Sequence, residues 1–262
     1  MKKNPLIGLN MSMDVVNKYE KCGMLVPVSY VDAVADAGGV PVCVPPFKDL
    51  SMCRQILPLL DGMLFIGGDD YLPEHYGGHS QPENELMPER RDRFDMALAR
   101  LILDETSLPV LAICGGHQLI SIALGGALIQ DIRTEWQSPA GVQTLPHSGS
   151  ERENFHKAGF RHCVRCKPGS IVERVTQISP GDALQTNSYH HQAVNPDRIG
   201  RYLCATAWSD DGIIEAIEPA EDSSWARAGR FVLGIQWHPE RMQDEMPHQN
   251  IFHALVYASR NI

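Results

Sequence analysis

The stretch "LPVLAICGGHQLISIALGG", residues 108–126, decides how the rest of the chain is read. An apolar run ends in a lone cysteine, Cys114, and two glycines follow at once. Beyond them Leu119, Ile120, Ile122, Ala123 and Leu124 fall in a helical-looking segment. The string reads strand, sharp turn, helix. In an open α/β sheet, ligand crevices form at the carboxyl ends of parallel strands. A nucleophile lifted out on such a turn needs small neighbours, because backbone passes close to it. A helix N-terminus favours a thiolate. The Gly115 N–H points toward any oxyanion formed beside the sulfur. The competing reading is a buried, inert thiol, which suits Cys43, Cys53 and Cys204 in apolar runs or on helix faces.

Outward from this stretch the first half repeats one pattern. "LIGL" (6–9), "VPVCVP" (40–45), "GMLFIGG" (62–68) and "LPVLAIC" (108–114) are near-continuous apolar runs bounded by Gly or Pro. Such runs are strands of a parallel sheet covered on both faces. Between them "VSYVDAVADAGG", "LSMCRQILPLL" and "ERRDRFDMALARLILDET" are amphipathic. The alternation predicts βαβ units and an α/β fold with a doubly wound sheet. The second half is richer in strands: "HCVRC" (162–166), "YLCATAWS" (202–209), "GIIEAIE" (212–218) and "FVLGIQWH" (231–238). "HQNIFHALVYASR" reads as a closing helix, and 136–158 as a polar surface loop. No repeat or linker divides the chain, so one domain over 1–262 is expected.

Of the 262 residues 43% are hydrophobic, enough for a full core, and the formal net charge of -9 argues against nucleic acid or an anionic membrane surface as partner. No apolar run reaches the roughly 18 residues that span a bilayer, and the N-terminal apolar stretch is too short for a signal segment. A cytoplasmic protein is expected. Seven scattered cysteines fit free thiols in a reducing compartment rather than a disulfide framework.

Two further strings bear on Cys114. In "GIQWHPE" (234–240), His238 and Glu240 flank Pro239 at the end of the last strand. A thiol nucleophile needs a base, and the base needs an orienting acceptor. Pro239 takes the chain out of the sheet there. In "FIGGDDYLPEHYGG" (65–78) a strand ends in Gly67-Gly68, which can present backbone N–H groups to an oxyanion. Taken singly, each string also fits an ordinary strand end.

Together and in this order, the three strings resemble the class I glutamine amidotransferase superfamily. Its C-x-G-x-Q motif is matched by Cys114-Gly115-Gly116-His117-Gln118, and its His-Pro-Glu motif by His238-Pro239-Glu240. Within it the chain resembles the γ-glutamyl hydrolase-like branch (peptidase C26), in particular bacterial γ-glutamyl-γ-aminobutyrate hydrolases. "GGDDYLPEHYG", "RDRFDMALARLIL", "ALGGALIQDI", "NSYHHQAV" and "DGIIEAIE" carry that resemblance, from about residue 5 to residue 257. It implies a flavodoxin-like α/β fold, with a central, mostly parallel sheet flanked by helices. It implies Cys114 as nucleophile, His238 as base, Glu240 as orienter, and Gly68 and Gly115 as oxyanion donors. Gln118, Ser188, Tyr189, His190 and His191 would help hold a γ-glutamyl head. The implied partner is a small-molecule γ-glutamyl substrate; no metal or organic cofactor is implied, and a homodimer is compatible with the pattern. The chain departs from the branch at Gly115, where its hydrolases usually carry arginine. His117 is more typical of glutaminase subunits. The leaving group is therefore open, and two alternatives stand beside the hydrolase: a glutaminase subunit serving a separate synthase, and a non-catalytic binding protein.

The remaining candidates read as structural. His162, Cys163 and Cys166 suggest a metal, but residues i and i+3 of a strand point to opposite faces, and no second pair lies at zinc spacing. Pro73 and Gly77-Gly78 put His75 and His79 in a loop, at the surface or the substrate rim. Asp69 and Asp70 cap a turn or meet a cationic leaving group.

Overall fold

A computed structural model describes residues 3–15, 22–148, 159–179 and 181–260. The elements run β1 (Leu6–Asn10), β2 (Ser12–Val15), β3 (Cys22–Leu25), α1 (Val28–Asp36), β4 (Val40–Val44), α2 (Cys53–Ile56), β5 (Gly62–Phe65), α3 (Glu89–Glu105), β6 (Val110–Ile113), α4 (Gly115–Ala123) and β7 (Leu128–Ile129). They continue with α5 (Ile132–Glu135), β8 (Phe160–Cys166), α6 (Ile171–Thr176), β9 (Ala183–Ser188), β10 (Ala193–Val194), β11 (Leu203–Ser209), β12 (Ile214–Pro219), α7 (Ser224–Arg227), β13 (Val232–Ile235) and α8 (Met246–Ser259).

Nine strands form one sheet in the order β4-β1-β5-β6-β13-β12-β11-β8-β9. The pairs from β4 through β13 are parallel, and those from β13 through β9 are antiparallel. This is the expected α/β architecture, with the extra strands of the second half appended along one edge. The apolar runs are buried on both faces by alternation. Val110 and Ala112 of β6 join one core with Met63, Phe65, Phe94, Leu98, Leu119 and Ile120. Leu111 and Ile113 join the other with Leu64, Tyr30, Val34, Trp237, Phe252 and Leu255. Thus α3 and α4 cover one face, and α1 and α8 the other. Each fully buried Leu, Ile or Phe contributes roughly 1.5–3 kcal/mol.

Three local expectations change. "LSMCRQILPLL" is not one helix: α2 is a single turn between short 3-10 turns at Leu50–Met52 and Leu57–Leu59. Pro58 removes a backbone donor and breaks the run. Cys43 is exposed rather than buried, because β4 is the sheet edge and packs its Val42 and Val44 side on the core. The expected surface loop sends His147 into the interior, and its remainder, 149–158, lies outside the described residues. Among the described residues no helix is long and apolar enough to cross a membrane.

Candidate active site

The carboxyl ends of β1, β5, β6 and β13 meet at one edge of the parallel half. Cys114 follows β6 with φ 53° and ψ -110° and caps the N-terminus of α4. An L-residue in that conformation is strained by about 1–3 kcal/mol, so its surroundings must impose it. Its N–H donates to the Ile235 carbonyl at 2.8 Å, and its carbonyl accepts from the Gln118 N–H at 3.1 Å. Gly116 is obligatory: a Cβ there would lie 2.3 Å from the Phe65 carbonyl oxygen. A Cβ on Gly115 would lie 3.2 Å from the Gly68 amide nitrogen, so the two expected oxyanion donors sit side by side.

His238 closes the site from β13. Its Nδ1 lies 2.7 Å from Glu240 Oε1, and both side chains are buried. Asn187 at the end of β9 clamps the His238 backbone, accepting from its N–H and donating to its carbonyl, each at 2.8 Å. The Tyr30 hydroxyl, from α1, lies 3.4 Å from His238 Nδ1 and accepts from the Gly67 N–H at 3.2 Å. A Cβ on Gly67 would lie within 3.3 Å of both Cys114 Cβ and His238 Cε1, so the thiol, the imidazole and the glycine turn share one small space. Burial alone would push the Cys114 thiol up, but the charge and hydrogen bond of His238 outweigh it and hold the thiol below its usual value. Burial disfavours the His238 imidazolium, yet the Glu240 carboxylate and the Cys114 thiolate raise it to about 10. Both shifts favour the thiolate–imidazolium form of the pair.

A buried polar network fixes the glycine turn. Asn10 Oδ1 accepts from the Ile66 N–H, and its Nδ2 donates to Asp95 Oδ2 at 2.8 Å. Arg91 donates to the Gly67 carbonyl at 2.8 Å and to Ser12 Oγ at 2.9 Å, and pairs with Asp95 at 3.3 Å. A Cβ on Gly68 would sit on the Arg91 guanidinium.

The expected substrate-binding residues divide. Tyr189, part-exposed, packs edge-on against His238 with ring centroids 5.4 Å apart and lies under Arg241. His191 is partly exposed and lies 3.1 Å from both carboxylate oxygens of Asp70, which also accepts from the Glu85 N–H. Gln118 is buried and donates to the Gln192 carbonyl at 3.1 Å and to Gln236 Oε1 at 3.3 Å. Ser188 spends its hydroxyl on the His147 carbonyl. His190 is buried and lies 2.9 Å from the Gln192 carbonyl through Nδ1. His117 is buried against Gly234 of β13, and burial lowers it to about 4. Asp69 is exposed beside Gly68, while Asp92 at 2.6 Å holds His75.

Tyr30, Asn187, Arg91 and Asp95 escaped the sequence reading as site-forming residues. The signal for Arg91 and Asp95 was present as two charges on the core-facing stripe of α3, where an unpaired charge is not tolerated.

A family model for peptidase C26 matches residues 5–240. A glutamine amidotransferase-like protein of Rickettsia prowazekii is 32% identical, covering 100% of both chains. A γ-glutamyl-γ-aminobutyrate hydrolase of Escherichia coli K12 is 27% identical, over 90% of this chain and 86% of that one. A glutamine amidotransferase structure from Thermotoga maritima superposes with a TM-score of 0.60 over 99% of this chain and 100% of that one, at 11% identity, a likeness of fold.

Proposed function

We propose that this chain, which belongs to the peptidase C26 family of glutamine amidotransferase-like hydrolases, cleaves a γ-glutamyl amide through Cys114, His238 and Glu240. One observation carries the reading. A cysteine held at positive φ on a helix N-terminus shares its space with a histidine that a buried glutamate grips at 2.7 Å. That is the arrangement of an activated thiol nucleophile.

The Cys114 thiolate attacks the δ-carbonyl carbon of the substrate. A C–S bond forms, and the carbonyl electron pair moves to oxygen, facing the Gly68 and Gly115 amides. Removing one such donor typically costs about 10²–10³ in rate. The oxyanion collapses, the C–N bond breaks, and His238 gives its proton to the departing amine. His238 then takes a proton from water, which attacks the thioester. The C–S bond then breaks, glutamate leaves, and the Cys114 thiolate returns beside the His238 imidazolium. Glu240 holds the imidazole in orientation and stabilises its charged form. Tyr189 and His191, part-exposed beside the site, are the side chains best placed to meet substrate. Gln118, Ser188 and His190 act beneath them by holding the backbone. The 27%-identical Escherichia coli hydrolase supports a γ-glutamyl-γ-aminobutyrate or related γ-glutamyl amine as substrate.

The test is steady-state hydrolysis by the purified chain alone. The panel is γ-glutamyl-γ-aminobutyrate, γ-glutamyl-putrescine, a γ-glutamyl dipeptide, a folate polyglutamate and free glutamine, with Cys114→Ala as blank. Preference for one γ-glutamyl amide supports the reading and identifies the leaving group. Turnover of glutamine alone moves the function to a glutaminase subunit. No turnover of any member favours a binding protein.

A further inference from the structure

Four side chains that the catalytic scheme does not use as reactants meet in the interior. His147 follows α5, His162 lies on β8, His190 follows β9, and Glu215 lies on β12. All are buried, and one ligand-type atom of each lies within 4.8 Å of the others. Glu215 Oε1 stands 3.7 Å from His147 Nδ1, 3.4 Å from His162 Nε2 and 3.7 Å from His190 Nε2. The separations make no hydrogen bond: two are too long, and at 3.4 Å His162 Nε2 and Glu215 Oε1 remain without a partner. They match donors around one central ion: at metal–ligand distances of about 2.0–2.1 Å, tetrahedral donors stand about 3.4 Å apart.

The outer ring nitrogens fix the tautomers. His147 Nε2 faces Asp211 Oδ2 at 3.1 Å, His190 Nδ1 the Gln192 carbonyl at 2.9 Å, and His162 Nδ1 the Cys163 carbonyl at 3.4 Å. Each partner is an acceptor, so each outer nitrogen carries the proton, and each inner nitrogen turns a lone pair inward. Three imidazole lone pairs and a carboxylate then face one another, and the Ser188 hydroxyl, 3.4 Å from His147 Nδ1, donates to the His147 carbonyl at 2.8 Å. His162 Nε2, His190 Nε2 and both Glu215 oxygens lack any hydrogen-bond partner. Buried acceptors left bare are costly. One added proton would draw Glu215 and a single imidazole to hydrogen-bond distance, and none of the three has closed to it. An acceptor behind every inward-facing histidine is how proteins orient metal-ligating imidazoles.

We propose that His147, His162, His190 and Glu215 hold one divalent cation of the zinc class in a closed, four-coordinate structural site. The cation pins β8 and β12 to the segments carrying His147 and His190. His190 lies two residues before Gln192, whose carbonyl receives Gln118 of the elbow helix, so the site braces the floor of the cleft. It supplies no reactant to the chemistry at Cys114.

The full chain, stripped by chelator and dialysed, is titrated with Zn²⁺ against a chromophoric competitor, and its Co²⁺ form is examined by visible absorption. One tight equivalent is expected, unchanged in Cys114→Ala. Asp211→Asn, which keeps all four ligands, should weaken binding about 10–100-fold. Glu215→Gln and His162→Ala should weaken it at least as much, with folding checked by circular dichroism. Co²⁺ should give the bands of a tetrahedral ion without a thiolate charge-transfer band. Zn²⁺ should raise the melting temperature of the stripped chain. Absence of a stoichiometric site in the wild type overturns the proposal. So does binding lost in Cys114→Ala and kept in Asp211→Asn, which places the ion on thiols.

Discussion

Cys114 carries two properties that can be separated by substitution. One is strain. Its φ of 53° is imposed by Gly116 against Phe65 and by hydrogen bonds to Ile235 and Gln118. Cys114→Gly should therefore be more stable than Cys114→Ala by about 1 kcal/mol or more, read by urea denaturation, and neither should turn over substrate. The other property is charge. His238 holds the thiol below its ordinary 9.0. The rate of iodoacetamide capture by Cys114 should then reach half its plateau below pH 9. The kcat/KM should rise with pH through that lowered value and fall as His238 loses its proton near 10. Glu240→Gln removes the charge that most raises His238, so the high-pH fall of kcat/KM should move to lower pH, and kcat should drop by on the order of 10²-fold. Cys114 stood out in sequence as a strand–cysteine–glycine–glycine–helix string, whereas His238 and Glu240 were marked by the family resemblance, because His-Pro-Glu alone also fits an ordinary strand end. The group His147, His162, His190 and Glu215 did not stand out: each is a lone polar residue in its own segment, and only folding brings them together.

At the scale of elements, the first turn of α4 shows how closely the elbow is fitted. Gly115 and Gly116 are neighbours with different constraints. A methyl on Gly116 meets the Phe65 carbonyl at 2.3 Å, whereas one on Gly115 meets Gly68 at 3.2 Å. Gly116→Ala should cost about 1–3 kcal/mol and displace the elbow. Gly115→Ala should stay within about 1 kcal/mol, since better helix propensity offsets the tight contact. Thermal unfolding of the two variants compares them directly. The buried parallel strands were legible because each is an apolar run between glycines or prolines. The segment 50–60 was not, since its apolar spacing suits a helix while Pro58 cuts it. The β2–β3 pair was also unread, having neither a long apolar run nor alternation that marks it.

At the scale of the whole molecule, charges hidden in the core join layers that the hydrophobic contacts only stack. Arg91 and Asp95 on α3 reach β1 through Asn10, the β5 turn through Gly67, and Tyr71 beyond it. Removing one partner leaves the other charge buried. Asp95→Ala should therefore destabilise the chain by about 3–5 kcal/mol. Glu105→Ala, which breaks the exposed pair with Arg54, should cost less than about 1 kcal/mol. Urea midpoints at fixed slope would show the contrast. A parallel sheet with helices on both faces followed from the alternating pattern of the first half, but the order of its strands did not. The antiparallel extension was foreseen as strands but not as partners, because pairing depends on register and not on composition.

The central claim, that Cys114 accepts the γ-glutamyl group, is tested most directly by acid-quenching the chain during turnover of γ-glutamyl-γ-aminobutyrate and mapping the adduct by peptide mass spectrometry. The account predicts one γ-glutamyl group on the peptide containing Cys114, absent from Cys114→Ala, which also fails to turn over. An adduct on another residue, or undiminished hydrolysis by Cys114→Ala, would contradict it.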